Sequence, residues 1–112
     1  MIVSLSGDAK KAQSDLEGRY FLQASNNDNR ENYWIQENGN SVLAYDKEFD
    51  NWNIGDQSYI GIYSPDTNIF NPLLASNWIY YSTDGNWNES KDIFVGPGSP
   101  GNLDLIDLNL VV

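Results

Sequence analysis

Residues 46–64 read DKEFDNWNIGDQSYIGIYS and concentrate the side chains most able to do chemistry. Asp46, Asp50, Asn53 and Asp56 are hard oxygen donors of the kind that calcium takes. Their spacing is not the D-x-[DN]-x-[DN]-G calcium loop, and no Glu stands at its twelfth position. Asp28, in the polar stretch NNDNREN, has less context still. Solvated turn carboxylates are the usual role of such residues, so no metal site and no cofactor is expected.

Other chemistries fall by elimination. The chain has no cysteine and no histidine. Thiolate zinc sites, cysteine nucleophiles, imidazole bases and Ser-His-Asp triads are therefore absent from it. Glycoside hydrolysis needs two carboxylates placed across a cleft, and the acidic residues show no distinctive pair. No catalytic residue is assigned, and the chain reads as non-enzymatic.

Three tryptophans, Trp34, Trp78 and Trp87, have Asn or Asp nearby and are the candidate ligand-binding residues. Exposed on a sheet, they would stack on a pyranose ring while the amides and acids bind its hydroxyls. Trp78 and Tyr80 share one strand face, and Trp34 lies opposite Tyr33 and Ile35. One of these faces must be core, so only part of the set is available to a glycan.

The elements that would carry these residues are mostly strands. IVSLS (2–6), GRYFLQAS (18–25), YWIQE and SVLAYD around Asn38-Gly39, SYIGIYS (58–64) and NWIYYS (77–82) alternate apolar and polar positions or cluster aromatics. Asn-Gly between alternating runs signals a hairpin, because both residues tolerate positive φ. Asp84-Gly85 turns 77–82 into NWNESKDIFV (86–95), a second hairpin. Gly61 inside a strand signals a bulge or a close approach. The segment 6–18 is the one helix candidate, with Ala9, Ala12 and Leu16 on a face, Asp8 as cap and Gly18 as stop; its thin apolar content fits a loop with one helical turn equally well.

Trp52-Asn53-Ile54-Gly55 reads as a turn between strands that carries a core tryptophan. Its indole N–H should find a backbone carbonyl. The expected core is Tyr20, Leu22, Val42, Trp52, Ile60, Ile62 and Trp78. The whole is an all-β domain, a small antiparallel barrel or two-sheet sandwich of about seven to nine strands.

Three segments are expected: an all-β module over 1–95, a Pro/Gly linker over 96–101, and a C-terminal strand or docking tail over 102–112. GPGSPG (96–101) is no phosphate loop, since it lacks Lys and its prolines remove amide donors. After it, Leu103 and Leu105, then Ile106, Leu108, Leu110 and Val112, alternate with a one-residue phase shift, as in a bulged strand. Leu103, Leu105, Leu108, Leu110 and Val112 are the candidate partner-docking residues, by strand addition to this domain or to another chain.

Residues 5–95 resemble a small module recurring in algal, protist and invertebrate proteins. The matching residues are Ser6-Gly7, GRY (18–20), NYW (32–34), VLAY (42–45), Trp52-Asn53-Ile54-Gly55, YIGIYS, Pro72 and Trp78. The chain departs from it at Glu17, where the pattern has Asn. The resemblance implies a single all-β module without enzyme activity, and it carries over no ligand residues.

With 16 acidic against 6 basic residues the formal charge is −10. Nucleic acid and anionic lipid are disfavoured partners for such a surface. A hydrophobic fraction of 40% with 13% aromatics sets the chain apart from disordered acidic tails. It shows neither a secretory signal nor an apolar run of the ~20 residues a membrane helix needs, so its compartment stays unassigned. Asn88-Glu89-Ser90 is a glycosylation sequon, usable only in a secreted protein. The expected role is an accessory or structural binding module that docks on a larger protein or assembly. The alternative is an extracellular, lectin-like module whose partner is a glycan.

Overall fold

A computed structural model describes residues 1–23, 29–56 and 58–97. Among them the chain forms nine strands and one short α-helix: β1 Ile2–Leu5, α1 Gly7–Gln13, β2 Gly18–Leu22, β3 Tyr33–Gln36, β4 Val42–Asp46, β5 Asn51–Gly55, β6 Ile60–Tyr63, β7 Ile79–Tyr81, β8 Trp87–Glu89 and β9 Ile93–Gly96. All pairings are antiparallel, in the order β8-β7-β6-β5-β4-β3-β2-β1-β9. The sheet curls into a half-barrel, in agreement with the all-β expectation.

The curl has a chain-connectivity cause. β8 and β9 stand at opposite ends of the sheet order, yet only residues 90–92 separate them. Four Cα–Cα steps span at most ~14 Å, so the two ends of the sheet are drawn together. The sequence reading makes 86–95 one strand of the second hairpin. Its first half does pair with β7, through Tyr81↔Trp87 to Ile79↔Glu89. Beyond Ser90 the chain changes partner and pairs with β1, through Leu5↔Ile93 to Ile2↔Gly96. Gly96, given to the linker on sequence, is the last residue of β9.

Alternation then sorts the side chains. One row of cross-strand neighbours runs Trp34–Leu43–Ile54–Ile62–Tyr80, and all but the half-buried Trp34 are buried. Trp52, Tyr20, Trp78, Val3 and Leu16 complete this core. Helix α1 closes it with Ala9 and Gln13, followed by a 3-10 turn, Ser14–Leu16, that delivers Leu16. Ser6, not Asp8, holds the N-cap position; Asp8 sits in the first turn, where a negative charge favours the helix N-terminus.

Three of the seven expected core residues lie elsewhere. Ile60 is 40% exposed. The β5–β6 register advances one residue on β5, Ile54 to Gly55, and two on β6, Ile62 to Ile60. Gly61 is the extra residue of a bulge, and the bulge turns Ile60 to the face opposite Ile62. Val42 is half-buried because its neighbour Leu43 takes the inward position. Leu22 is 45% exposed; it lies two residues beyond Tyr20, which exchanges backbone bonds with Met1.

The Asn38-Gly39 hairpin forms with a different turn. Gln36 N donates to Ser41 O at 2.9 Å, closing a loop over 37–40, and neither Asn38 nor Gly39 takes positive φ. The Asp84-Gly85 hairpin closes at Ser82 and Asn86, with Gly85 at φ 85°. That is a type I turn followed by a left-handed glycine.

Candidate binding surfaces

Trp52-Asn53-Ile54-Gly55 is a strand in the middle of the sheet rather than a turn, and it does carry a core tryptophan. Trp52 and Ile54 are fully buried on the inner face. The Trp52 indole donates to Ile69 O at 2.8 Å. Its ring packs on Trp34 and Tyr45, with centroids 6.0 and 5.5 Å away. At Gly55 a Cβ would stand 2.7 Å from Ile60 Cα, so the backbone approach demands glycine.

The oxygen donors of this segment are occupied and separated. Asp46 Oδ1 accepts from the N–H groups of Glu48 and Phe49, at 2.9 and 3.3 Å. Asp50 accepts from the Tyr45 hydroxyl and, at 3.1 Å, from Asn68 N. Asp56 Oδ1 accepts from Ser58 N at 2.8 Å, Ser58 Oγ at 2.7 Å and Tyr59 N at 3.1 Å. Asp50 and Asp56 flank the two ends of β5, roughly 20 Å apart at ~3.3 Å per residue, so one ion cannot bind both. No group of three metal-ligating side chains occurs among the described residues. Asp28 lies outside them.

Hydrogen bonding sets the charge state of these acids. The Tyr45 hydroxyl, and then the Asn68 amide, hold Asp50 below the usual carboxylate range, and the Tyr45 hydroxyl is pushed up by the same bond. Ser58 does the same for Asp56, and Ser82 for Asp84. Burial pushes Asp66 up, but its bonds from Asn77, Ser76 and Ser64 together outweigh this and lower it. Carboxylates held ionised by backbone and hydroxyl donors suit turn-building rather than proton donation at neutral pH.

The three candidate tryptophans do not meet. Trp78 is a core residue at 5% exposure, and Trp34 packs inward on Trp52. Trp87 is 40% exposed and joins two tyrosines instead. Its ring makes edge contacts with Tyr63 and Tyr81, at centroid distances of 4.9 and 5.4 Å. Tyr81 and Trp87 face each other across the β7–β8 hairpin. Glu89 stands beside them, and Asn53 pairs with Tyr63. The loop over 83–85 sets Tyr81 opposite Trp87, one position off the Tyr81–Asn88 pairing that a two-residue Asp84-Gly85 turn would give; Tyr63 comes from another hairpin, and only the sheet brings it in.

A second surface escaped the sequence reading entirely. Phe21, Ile35, Val42 and Ile60 form a cross-strand row on the outer face, interrupted only by Gly55. Phe21 and Ile60 are exposed, and Ile35 and Val42 are half-buried. Strands lie ~4.8 Å apart, so four steps from β2 to β6 make an apolar stripe roughly 19 Å long. A cleft of about 680 Å3, lined by Ile35, Gly39, Asn40, Val42, Asp56 and Ser58, runs alongside it. The signal was present in the apolar residues on both faces of β2, β3 and β6, but which face is inner depends on the bulge.

The candidate docking residues Leu103, Leu105, Leu108, Leu110 and Val112 lie outside the described residues. Fold and surfaces define a small antiparallel half-barrel with an apolar stripe and an aromatic cluster on its outside. No family model, no curated protein and no solved structure matches the chain.

Proposed function

We propose that this domain is a non-enzymatic accessory or structural module that docks on a larger protein through the outer stripe of Phe21, Ile35, Val42 and Ile60. The observation that carries this reading is the alignment of these four apolar residues in one cross-strand row over five strands, with Gly55 between Val42 and Ile60. A contiguous exposed apolar patch rimmed by polar residues is the mark of an interaction surface. Asp56 and Ser58 supply part of that rim. The charge of −10 favours a partner with a basic rim, which would steer encounter and fix orientation. The test is co-fractionation of the tagged protein with an assembly from its own source. Ile60→Glu places a charge in the stripe at an exposed position. It should leave the circular dichroism spectrum unchanged and release the protein from the assembly; retention of the variant in the assembly rejects the stripe as the docking face.

A lectin-like role is the second reading, favoured by the cluster of exposed Trp87 and Tyr81 on half-buried Tyr63, with Asn53 and Glu89 at its margin. An aromatic face flanked by hydrogen-bonding groups is what a pyranose needs. Tryptophan fluorescence titrated against a glycan panel separates the two. A shift with one sugar class that Trp87→Ala abolishes supports the lectin reading, and silence across the panel removes it.

A further inference from the structure

The outer face of β6, β7 and β8 carries three aromatic rings that do not lie flat. Tyr63, Ile79 and Glu89 form one cross-strand row, and Tyr81 pairs with Trp87 one step further along the hairpin. β6 and β8 are two strand spacings apart, roughly 10 Å at ~4.8 Å each. The Trp87 and Tyr63 ring centroids are nevertheless only 4.9 Å apart. The two side chains therefore lean towards each other across β7, over Ile79. The Trp87 ring stands at 75° to that of Tyr63 and at 66° to that of Tyr81. Trp87 and Tyr81 are exposed, and Tyr63 is half-buried. The rings make a corner with steep walls rather than a platform.

That shape discriminates between ligands. A pyranose is a flat disc, and walls near right angles admit it against a single ring. A compact, near-spherical cation touches two walls of a corner at once. Aromatic faces are the negative side of the ring quadrupole and attract a cation within ~6 Å of the centroid. The local charge has the matching sign. Glu89 is exposed and follows Trp87 by two residues, on the same side of β8. Among the described residues Glu89 makes no ion pair. Asp84 lies in the turn that joins β7 to β8, and the whole chain carries −10. A primary ammonium is strongly hydrated and gains little by leaving water. A quaternary ammonium is covered by methyl groups, which suit an apolar corner.

We propose that Trp87, Tyr63 and Tyr81 bind a quaternary ammonium group of the choline type, with Glu89 as its counter-charge. This site is independent of the docking stripe, and it takes a cation where the lectin-like role takes a neutral sugar. The charge of the chain also selects the carrier. A free cation such as choline adds only positive charge. A phosphocholine headgroup brings a phosphate up to an acidic surface, so it should bind more weakly.

The test is choline chloride titrated into the full chain, with ionic strength held constant by sodium chloride and amide and indole N–H shifts read by two-dimensional NMR. The Trp87 indole and the amides of Tyr63, Tyr81 and Glu89 should move together and saturate. 3,3-Dimethylbutan-1-ol, the neutral isostere with carbon in place of nitrogen, should bind about fivefold more weakly, the size of a cation–π gain at an exposed site. Glu89→Gln should weaken choline about twofold, as loss of an exposed counter-charge does. Trp87→Leu keeps apolar bulk without an aromatic face and should abolish the saturable shifts at Tyr63 and Tyr81. The same spectra report that both variants are folded. Equal affinity for the alcohol reduces the corner to an apolar patch and overturns the proposal. So do saturable shifts centred elsewhere, an unchanged choline response in Trp87→Leu, and the absence of saturation up to about 100 mM choline, well beyond a weak millimolar ligand. Unchanged affinity in Glu89→Gln overturns its role as counter-charge. Tighter binding of phosphocholine than of choline overturns the choice of a free cation and assigns the corner to a headgroup.

Discussion

Two tryptophans of this chain illustrate how far residue type underdetermines role. Trp52 has no exposed surface, an indole bond to Ile69 O and two ring neighbours. Trp52→Ala should cost about 3–5 kcal/mol, as truncation of a buried aromatic does. Trp52→Phe keeps most of the packing but orphans the Ile69 carbonyl, at about 1–3 kcal/mol. Trp87 is 40% exposed and held by ring edges only, so Trp87→Ala should cost about 1–2 kcal/mol, a ring contact being worth ~0.5–1.5. Urea denaturation of the three variants checks the ranking. A Trp52→Ala protein as stable as Trp87→Ala would contradict the core assignment.

At the scale of elements, the bulge at Gly61 is the device that matters most. A Cβ there would stand 2.7 Å from Leu16 Cδ1 and press on the Gln13 amide. Gln13 in turn donates to Tyr81 O at 2.8 Å, which ties α1 to β7. Gly61→Ala should therefore destabilise by about 1–3 kcal/mol through overpacking. Gln13→Ala in the same chain should recover part of that loss, a coupling that a double-mutant cycle reads. Strict additivity of the two changes would show that the helix does not press on the bulge. Gly55→Ala should be worse than Gly61→Ala, because Tyr59 and Ile60 meet it with backbone rather than side-chain atoms.

For the whole molecule, pH dependence follows from its acids and tyrosines. Asp50, Asp56, Asp66 and Asp84 titrate lower in the fold than in the unfolded chain. Their contribution is full above the unfolded value, ~3.9 for Asp, and is lost as pH falls through the lower folded values. Burial pushes the Tyr20 hydroxyl up, and it donates to Leu16 O at 2.6 Å. That stabilisation is full below the unfolded value near ~10 and is lost as pH rises above it. Between these limbs the charge of −10 repels itself, and the repulsion relaxes as pH drops from 7 towards 5. The melting temperature should hold or rise slightly from pH 7 to about 5, then fall below about 4 and above about 10. A steady rise down to pH 3 would contradict the carboxylate assignments. Adding a chelator at neutral pH should leave the melting temperature unchanged, since a ligand bound to the native state would otherwise raise it by mass action.

The features legible along the chain are those written in local period and turn chemistry. Alternation marked most of the strands, the two hairpins were legible in Asn38-Gly39 and Asp84-Gly85, and Gly61 signalled either a bulge or a close approach, without saying which. Trp52 as core, with its indole on a carbonyl, followed from a large aromatic two residues from Ile54. Which face lies inside depends on the assembled sheet. A bulge shifts alternation by one residue, and its phase cannot be read along one strand, so Ile60 moved from expected core to the outer stripe. Only the sheet decided that 86–96 serves two partners, because pairing depends on neighbours far apart in the chain. The outer row of Phe21, Ile35, Val42 and Ile60, and the meeting of Tyr63 with Trp87, arise the same way. Each is a register between strands, and register is set by the packing of the whole core rather than by any segment alone.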